Sequence, residues 1–199
     1  RAGHAAGRYS EVGTWSSVVI AGGQLPSGEL LATAQVFRHT PGMPTEEKFE
    51  AADDMSEARA YFASAVGAAV SGMRYVFVSK STAQTFRGSW SAATTPPATG
   101  SLASRLSDGR FILVGGASAS ILDRTVPSWL AASPPIANHT GGTIDLLANG
   151  KVLVTGGTGY KSSAELFGPL IAQGQPCTTS GDCASHYCVD GYCCTEACT

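Results

Sequence analysis

The chain has 199 residues, enough to bury a sizeable core as one domain with a small appendage. Charged residues make up 14% and the net charge is −2, so there is neither a basic stripe for nucleic acid nor an acidic tail. No apolar run approaches the ~20 residues of a membrane span, and 24 glycines with frequent serine and threonine describe a turn-rich β protein better than a helical one.

Taken in chain order, the first clear element is the apolar run Val18-Val19-Ile20-Ala21, closed by Gly22-Gly23. Such runs recur as Phe111-Ile112-Leu113-Val114-Gly115-Gly116 and Val152-Leu153-Val154-Thr155-Gly156-Gly157. A degenerate copy, Tyr75-Val76-Phe77-Val78-Ser79-Lys80, lacks both glycines. Short continuous apolar runs bounded by turn residues suit strands buried on both faces. The glycines predict either a positive φ or a backbone approach too close for a Cβ. A third strand is expected at Ala34-Gln35-Val36-Phe37 and at Ala164-Glu165-Leu166-Phe167.

An aromatic, any residue and two alanines follow as a fourth strand: Phe49-Glu50-Ala51-Ala52, Trp90-Ser91-Ala92-Ala93 and Trp129-Leu130-Ala131-Ala132. The three aromatics lie 41 and 39 residues apart, the period of a repeat architecture. Ahead of two apolar runs, Asp108-Gly109 and Asn149-Gly150 predict two-residue type I′ hairpins. Four short antiparallel strands per ~40 residues make one β-propeller blade. An immunoglobulin-like sandwich also spaces short strands evenly, but leaves the fixed order of double glycine and tryptophan phrase unexplained.

These motifs resemble the kelch-repeat family, including the kelch-like blades of galactose oxidase-type proteins, over residues 1–168. The resemblance implies an all-β, partial kelch-type β-propeller of about four blades, with a small disulfide-rich C-terminal segment. The last unit has no recognisable fourth strand, and the chain starts at Arg1 inside a repeat. It therefore reads as part of a larger propeller with open sheet edges, and the lack of a signal peptide is silent on export.

All six cysteines fall in the last 23 residues: Cys177, Cys183, Cys188, Cys193, Cys194 and Cys198. That split marks a linker at 169–176 and a separate module at 177–199. Zinc normally uses Cys-x2-Cys pairs, which are absent here; the x4 spacings and His186 leave zinc open as the lesser reading. So short a segment with few large apolar side chains needs disulfides to fold. Six cysteines allow 15 connectivities, of which a Cys193–Cys194 bond is disfavoured by strain. The tail is similar to cysteine-rich tails of predicted extracellular proteins from myxobacteria, in which further cysteines usually follow, so this tail reads as truncated. Disulfides imply an oxidising place, outside the cell or at its surface.

Chemistry is harder to find. A copper radical oxidase on kelch-like blades needs a Tyr-His pair and a cysteine cross-linked to tyrosine. The nearest stretch, Arg59-Ala60-Tyr61-Phe62, has Phe62 where histidine is required, and the blades hold no cysteine. His4, His39, His139 and His186 lack ligand spacing, no serine sits in a Gly-x-Ser-x-Gly elbow, and Gly156–Gly159 leads into a strand rather than a helix. The expectation is no catalysis, no metal and no cofactor in this segment. Strand starts and the loops after the double glycines emerge on one face. That face gathers Arg1, Arg59, Asn138 and His139, with loops 24–29, 79–81, 117–120 and 158–162. In kelch domains the corresponding loops form the usual ligand surface. The reading is thus a binding protein for a protein or glycan partner, with no nucleic acid and no membrane span. The alternative is a galactose oxidase-like copper radical oxidase whose active-site residues lie upstream or have been lost. Arg1 and Arg59 could equally serve the fold by bonding backbone carbonyls.

Overall fold

In the computed structural model, the residues described are all except 11–15, 39–47, 69–73, 81, 94, 97–101, 124–127, 160–161, 169–170, 184, 186 and 196–199. The chain is all-β: the described residues hold 17 strands in antiparallel sheets, one 3-10 turn and no α-helix. It divides into two compact units, Arg1–Thr95 and Pro96–Thr199.

Unit 1 contains two four-stranded sheets, each a meander in sequence order. The first runs β1 (Ala5–Ser10), β2 (Ser16–Ala21), β3 (Ala34–Arg38) and β4 (Lys48–Ala52). The second runs β5 (Ala63–Ala68), β6 (Arg74–Ser79), β7 (Ala83–Phe86) and β8 (Trp90–Ala93). Strand β1 of the first sheet packs on β5 and β6 of the second. Tyr9, Val19, Val36, Met55, Val76 and Phe86 form the core between them. Phe86 sits at its centre: Tyr9 meets it edge-on at 4.9 Å and Trp90 tilts against it at 4.9 Å. Burying one such ring contributes about 1.5–3 kcal/mol.

Unit 2 repeats the plan with β9 (Leu102–Arg105), β10 (Phe111–Gly115), β11 (Ser118–Asp123) and β12 (Ser128–Ala132). Its second sheet has three strands among the described residues: β13 (Thr143–Leu146), β14 (Val152–Thr155) and β15 (Ala164–Phe167). Strand β10 is buried at four successive residues, as its unbroken apolar run requires, whereas β14 alternates, with Val152 and Val154 turned into the core.

The repeat survives in the register. Phe49 pairs with Phe37, Trp90 with Phe86 and Trp129 with Leu122. At the other end of the same strands Ala52 pairs with Ala34, Ala93 with Ala83 and Ala132 with Ala119. The aromatic-x-Ala-Ala phrase is therefore one strand in one register, used three times.

Two local expectations need correction. Asp108-Gly109 and Asn149-Gly150 do not form two-residue type I′ turns. In each, the residue before the loop bonds across three residues: Leu106 N donates to Arg110 O at 2.7 Å, and Leu147 N to Lys151 O at 2.8 Å. Only Gly109 and Gly150 have left-handed φ, +92° and +81°, the signature of a type I turn closed by a glycine bulge. The Asp108 and Asn149 side chains accept from the backbone N–H two residues on, at 3.0 and 3.1 Å, which holds them right-handed. Similarly, Ser118–Ser120 belong to β11 rather than to a loop, and the connection shrinks to Gly116-Ala117, with φ +59° at Gly116.

The cysteine tail is part of unit 2, its 3-10 turn Ser180–Asp182 lying against β12. Cys177 bonds Cys188 and Cys183 bonds Cys193, with Cys183 and Cys193 buried. Strands β16 (Tyr187–Val189) and β17 (Tyr192–Cys194) pair through Asp190-Gly191, whose φ values of +51° and +80° make a type I′ turn. Cys194, expected in a disulfide, carries a free thiol. Neighbouring strand residues face opposite sides, so Cys193 points to the cystine core and Cys194 away from it. Cys198 lies outside the described residues. Much of the stretch read as a linker is bonded into the tail: Ile171 N donates to Asp182 O, Gly174 N to Cys193 O and Cys193 N to Gln175 O, at 2.7, 2.7 and 2.9 Å.

Candidate recognition site

The ends of the sheets where first strands begin are built on one bonding scheme, repeated three times. Four residues before β1, β5 and β13 stand Arg1, Arg59 and His139. Each bonds the loop that leaves the second strand and the second residue of the third strand. Arg1 Nη1 donates to Gly22 O and Thr33 O, both at 3.1 Å, and its Nη2 reaches Gln35 Oε1 at 3.5 Å. Arg59 donates to Thr82 O at 2.9 Å, to Thr82 Oγ1 at 2.8 Å and to Gln84 Oε1 at 3.4 Å. His139 places Nδ1 on Gly156 O at 2.6 Å and Nε2 on Glu165 Oε1 at 2.8 Å. Gln35, Gln84 and Glu165 occupy the same place in β3, β7 and β15, directly after the alanine that opens each third strand.

The third-strand residue also fixes the incoming chain. Gln84 Oε1 accepts from Ser56 N at 3.1 Å, and Glu165 accepts from Ile136 N and Ala137 N, each at 2.7 Å. Burial acts to raise the Glu165 carboxyl, but these two N–H donors and His139 outweigh it and hold it below the usual carboxylate range. Burial lowers the Arg59 guanidinium, and Glu57, 3.4 Å away, partly restores it. Arg59 and His139 are fully buried, and the Arg59 guanidinium lies 5.8 Å from the Phe62 ring centroid.

The double glycines serve this arrangement. Gly22 and Gly156 are left-handed at φ +64° and +68°. A Cβ on Gly157 would stand 2.6 Å from both Asn138 O and His139 Cα, so the second glycine admits the start of the first strand. In the degenerate copy Lys80 N bonds Thr82 O at 3.0 Å instead.

Of the four residues expected to meet a ligand, then, only two are exposed. Arg1 and Asn138 face solvent, Asn138 with its Oδ1 on Thr140 N at 2.9 Å. Arg59 and His139 lie beneath the surface they were read as forming. Arg1 and Arg59 share unit 1, Asn138 and His139 unit 2. His4 is exposed; His39 and His186 lie outside the described residues. Loop 24–29 is a tight turn, with Leu25 N on Glu29 O and Gln24 Nε2 on Gly28 O, and it leaves Leu25 and Leu30 partly exposed. Loop residue 81 and part of 158–162 lie outside the described residues.

One residue of this face escapes a sequence reading. Tyr61 is 64% exposed and has φ +52°. A left-handed backbone costs a side chain-bearing residue roughly 1–2 kcal/mol. The signal that finds it is the repeat alignment: the same position holds Gly3 at φ +62° and Gly141 at φ +77°.

No protein-family model matches the chain, and no curated protein sequence matches it significantly.

Proposed function

We propose that the chain is the blade region of an extracellular kelch-type propeller protein that recognises a protein or glycan and performs no catalysis in this segment. The observation carrying this reading is the frame under the strand-start loops. Arg1, Arg59 and His139 tie the loop backbones to the third strands, so the exposed side chains above them stand in fixed positions. A rigid frame with variable exposed side chains is what a recognition surface requires. The disulfides fit an oxidising compartment, and no helix among the described residues is long and apolar enough to cross a membrane. The repeated register and the equivalent clamps support the kelch resemblance.

The test is binding of the full chain to glycan and protein arrays, with Arg1→Ala and Asn138→Ala as variants. The reading expects at least one ligand, lost in one or both variants, with the melting temperature of Asn138→Ala within about 2 °C of the parent and that of Arg1→Ala lowered by the loss of its bonds to Gly22 O and Thr33 O. Absence of any ligand on both arrays would sink it.

A further inference from the structure

We propose that the ring of Tyr61 is a preset stacking platform for a sugar ring, making this end of unit 1 a glycan-binding subsite. The inference rests on the recognition reading above and sharpens it to one residue and one ligand class.

The starting point is a conflict between local physics and the residue chosen. The third residue of each strand-start phrase has a left-handed backbone in every copy described: Gly3, Tyr61 and Gly141. In the remaining copy the aligned position is Gly100, outside the described residues. Three copies thus carry glycine, which meets the conformation without strain. The second carries tyrosine, for which a positive φ is an outlier. Residues held in such conformations persist where the surroundings impose them, and they cluster at ligand sites.

The surroundings do impose it. Tyr61 N donates to Gly3 O at 2.8 Å, locking the backbone to the neighbouring sheet. The ring lies against Gly3 so closely that a Cβ there would come within 2.8 Å of it. One face of the ring is therefore seated on backbone, and the side chain still keeps 64% of its surface in solvent. A large aromatic surface held in one orientation needs little further ordering to bind.

The rim decides the ligand class. Lys80 Nζ sits on Ala60 O, next to the tyrosine, at 3.1 Å. Arg1 holds Gly22 O and Thr33 O through Nη1 and reaches Gln35 Oε1 through Nη2, and a guanidinium has five N–H donors, more than these three bonds use. Two cations repel an ammonium ligand, so a cation-on-ring mode does not fit. A pyranose does: its C–H face covers an aromatic ring, and its hydroxyls, or a carboxylate, accept from Arg1 and Lys80 donors.

Titration of the full chain with cellotetraose and with tetragalacturonate, read by calorimetry, tests this. Binding of at least one is expected, the acidic sugar if the rim cations dominate and the neutral one if stacking does. Tyr61→Gly should weaken that binding at least tenfold while raising the melting temperature by a few degrees, because strain is relieved. Tyr61→Phe should keep the affinity within about threefold. A Tyr61→Gly variant that melts lower than the parent would assign the ring a structural role and overturn the proposal. Unchanged sugar binding in Tyr61→Gly, or no binding of either sugar, would overturn it too. If binding then disappears in Arg1→Ala, the recognition reading stands and only the role of Tyr61 falls.

Discussion

Arg59 and His139 meet the same demand with different chemistry. Each must satisfy a loop carbonyl at the start of a sheet while reaching the third strand from a site closed to water. His139 meets the demand with its two ring nitrogens, Nδ1 on Gly156 O and Nε2 on Glu165 Oε1. Arg59→Met removes the charged donors to Thr82 O, Thr82 Oγ1 and Gln84 Oε1, while Lys80 N and Ser56 N still donate to Thr82 O and Gln84 Oε1; the loss should cost about 1.5–3 kcal/mol in a urea titration. Glu165→Ala removes the acceptor of Ile136 N and Ala137 N and the partner of His139 Nε2, and should cost about 1–3 kcal/mol, chiefly from the two less exposed partners, Ala137 N and His139. The Glu165 carboxyl is held low in the folded chain, so its contribution is complete above its unfolded value of about 4.3 and is lost as pH falls through the lower folded value. Melting temperatures followed from pH 7 to pH 3 should therefore drop more steeply in the parent than in Glu165→Gln.

Among the elements, the glycine turns separate into two kinds, and substitution should tell them apart. Gly150 is left-handed at φ +81°, yet its nearest would-be neighbour, Ser107 Oγ, is 3.5 Å from a Cβ. Gly150→Ala should cost about 1 kcal/mol, from backbone conformation alone. At Gly157 a Cβ meets the backbone of Asn138 and His139 at 2.6 Å, and backbone cannot swing aside. Gly157→Ala should therefore cost about 2–3 kcal/mol or displace the first strand of its sheet, visible as faster amide exchange at Thr158, whose N–H bonds Thr140 O. The short connections also explain why the turns at Gly109 and Gly150 differ from that at Gly191. A three-residue loop needs one left-handed residue, a two-residue loop needs two.

Across the whole molecule, one carboxylate joins the tail to the sheets of unit 2, and two disulfides hold the tail itself together. Asp182 accepts from Thr178 N and Thr179 N at 3.0 and 2.7 Å and from Ser133 Oγ at 2.9 Å, joining the 3-10 turn Ser180–Asp182 to the end of β12. Burial would raise its carboxyl, but these donors outweigh it, and it too is held low. The disulfides close short loops, each contributing about 2–4 kcal/mol to a segment with little core of its own. Reduction with dithiothreitol should thus release residues 171–194 to fast hydrogen exchange while the strands β9–β15 stay protected, since their core contains no cysteine. Loss of protection in both regions together would mean that the tail is part of the cooperative unit.

Much of the fold could be read from the chain by itself because strand content, turn positions and repeat period are local properties. Apolar runs mark β2, β10 and β14, and the recurring aromatic-x-Ala-Ala phrase marks β4, β8 and β12, wherever the neighbours lie. The restriction of cysteine to the tail likewise announces its disulfides. What the chain alone left open depends on distance through space. Whether Arg59 faces a ligand or a carbonyl, and which cysteines pair, is set by residues 10 to 25 positions away. Turn type was open for the same reason: Asp-Gly serves a two-residue or a three-residue loop, and strand register chooses between them. Tyr61 is the sharpest case, since its backbone conformation is imposed by a hydrogen bond to Gly3 in the adjacent sheet rather than by any preference of tyrosine.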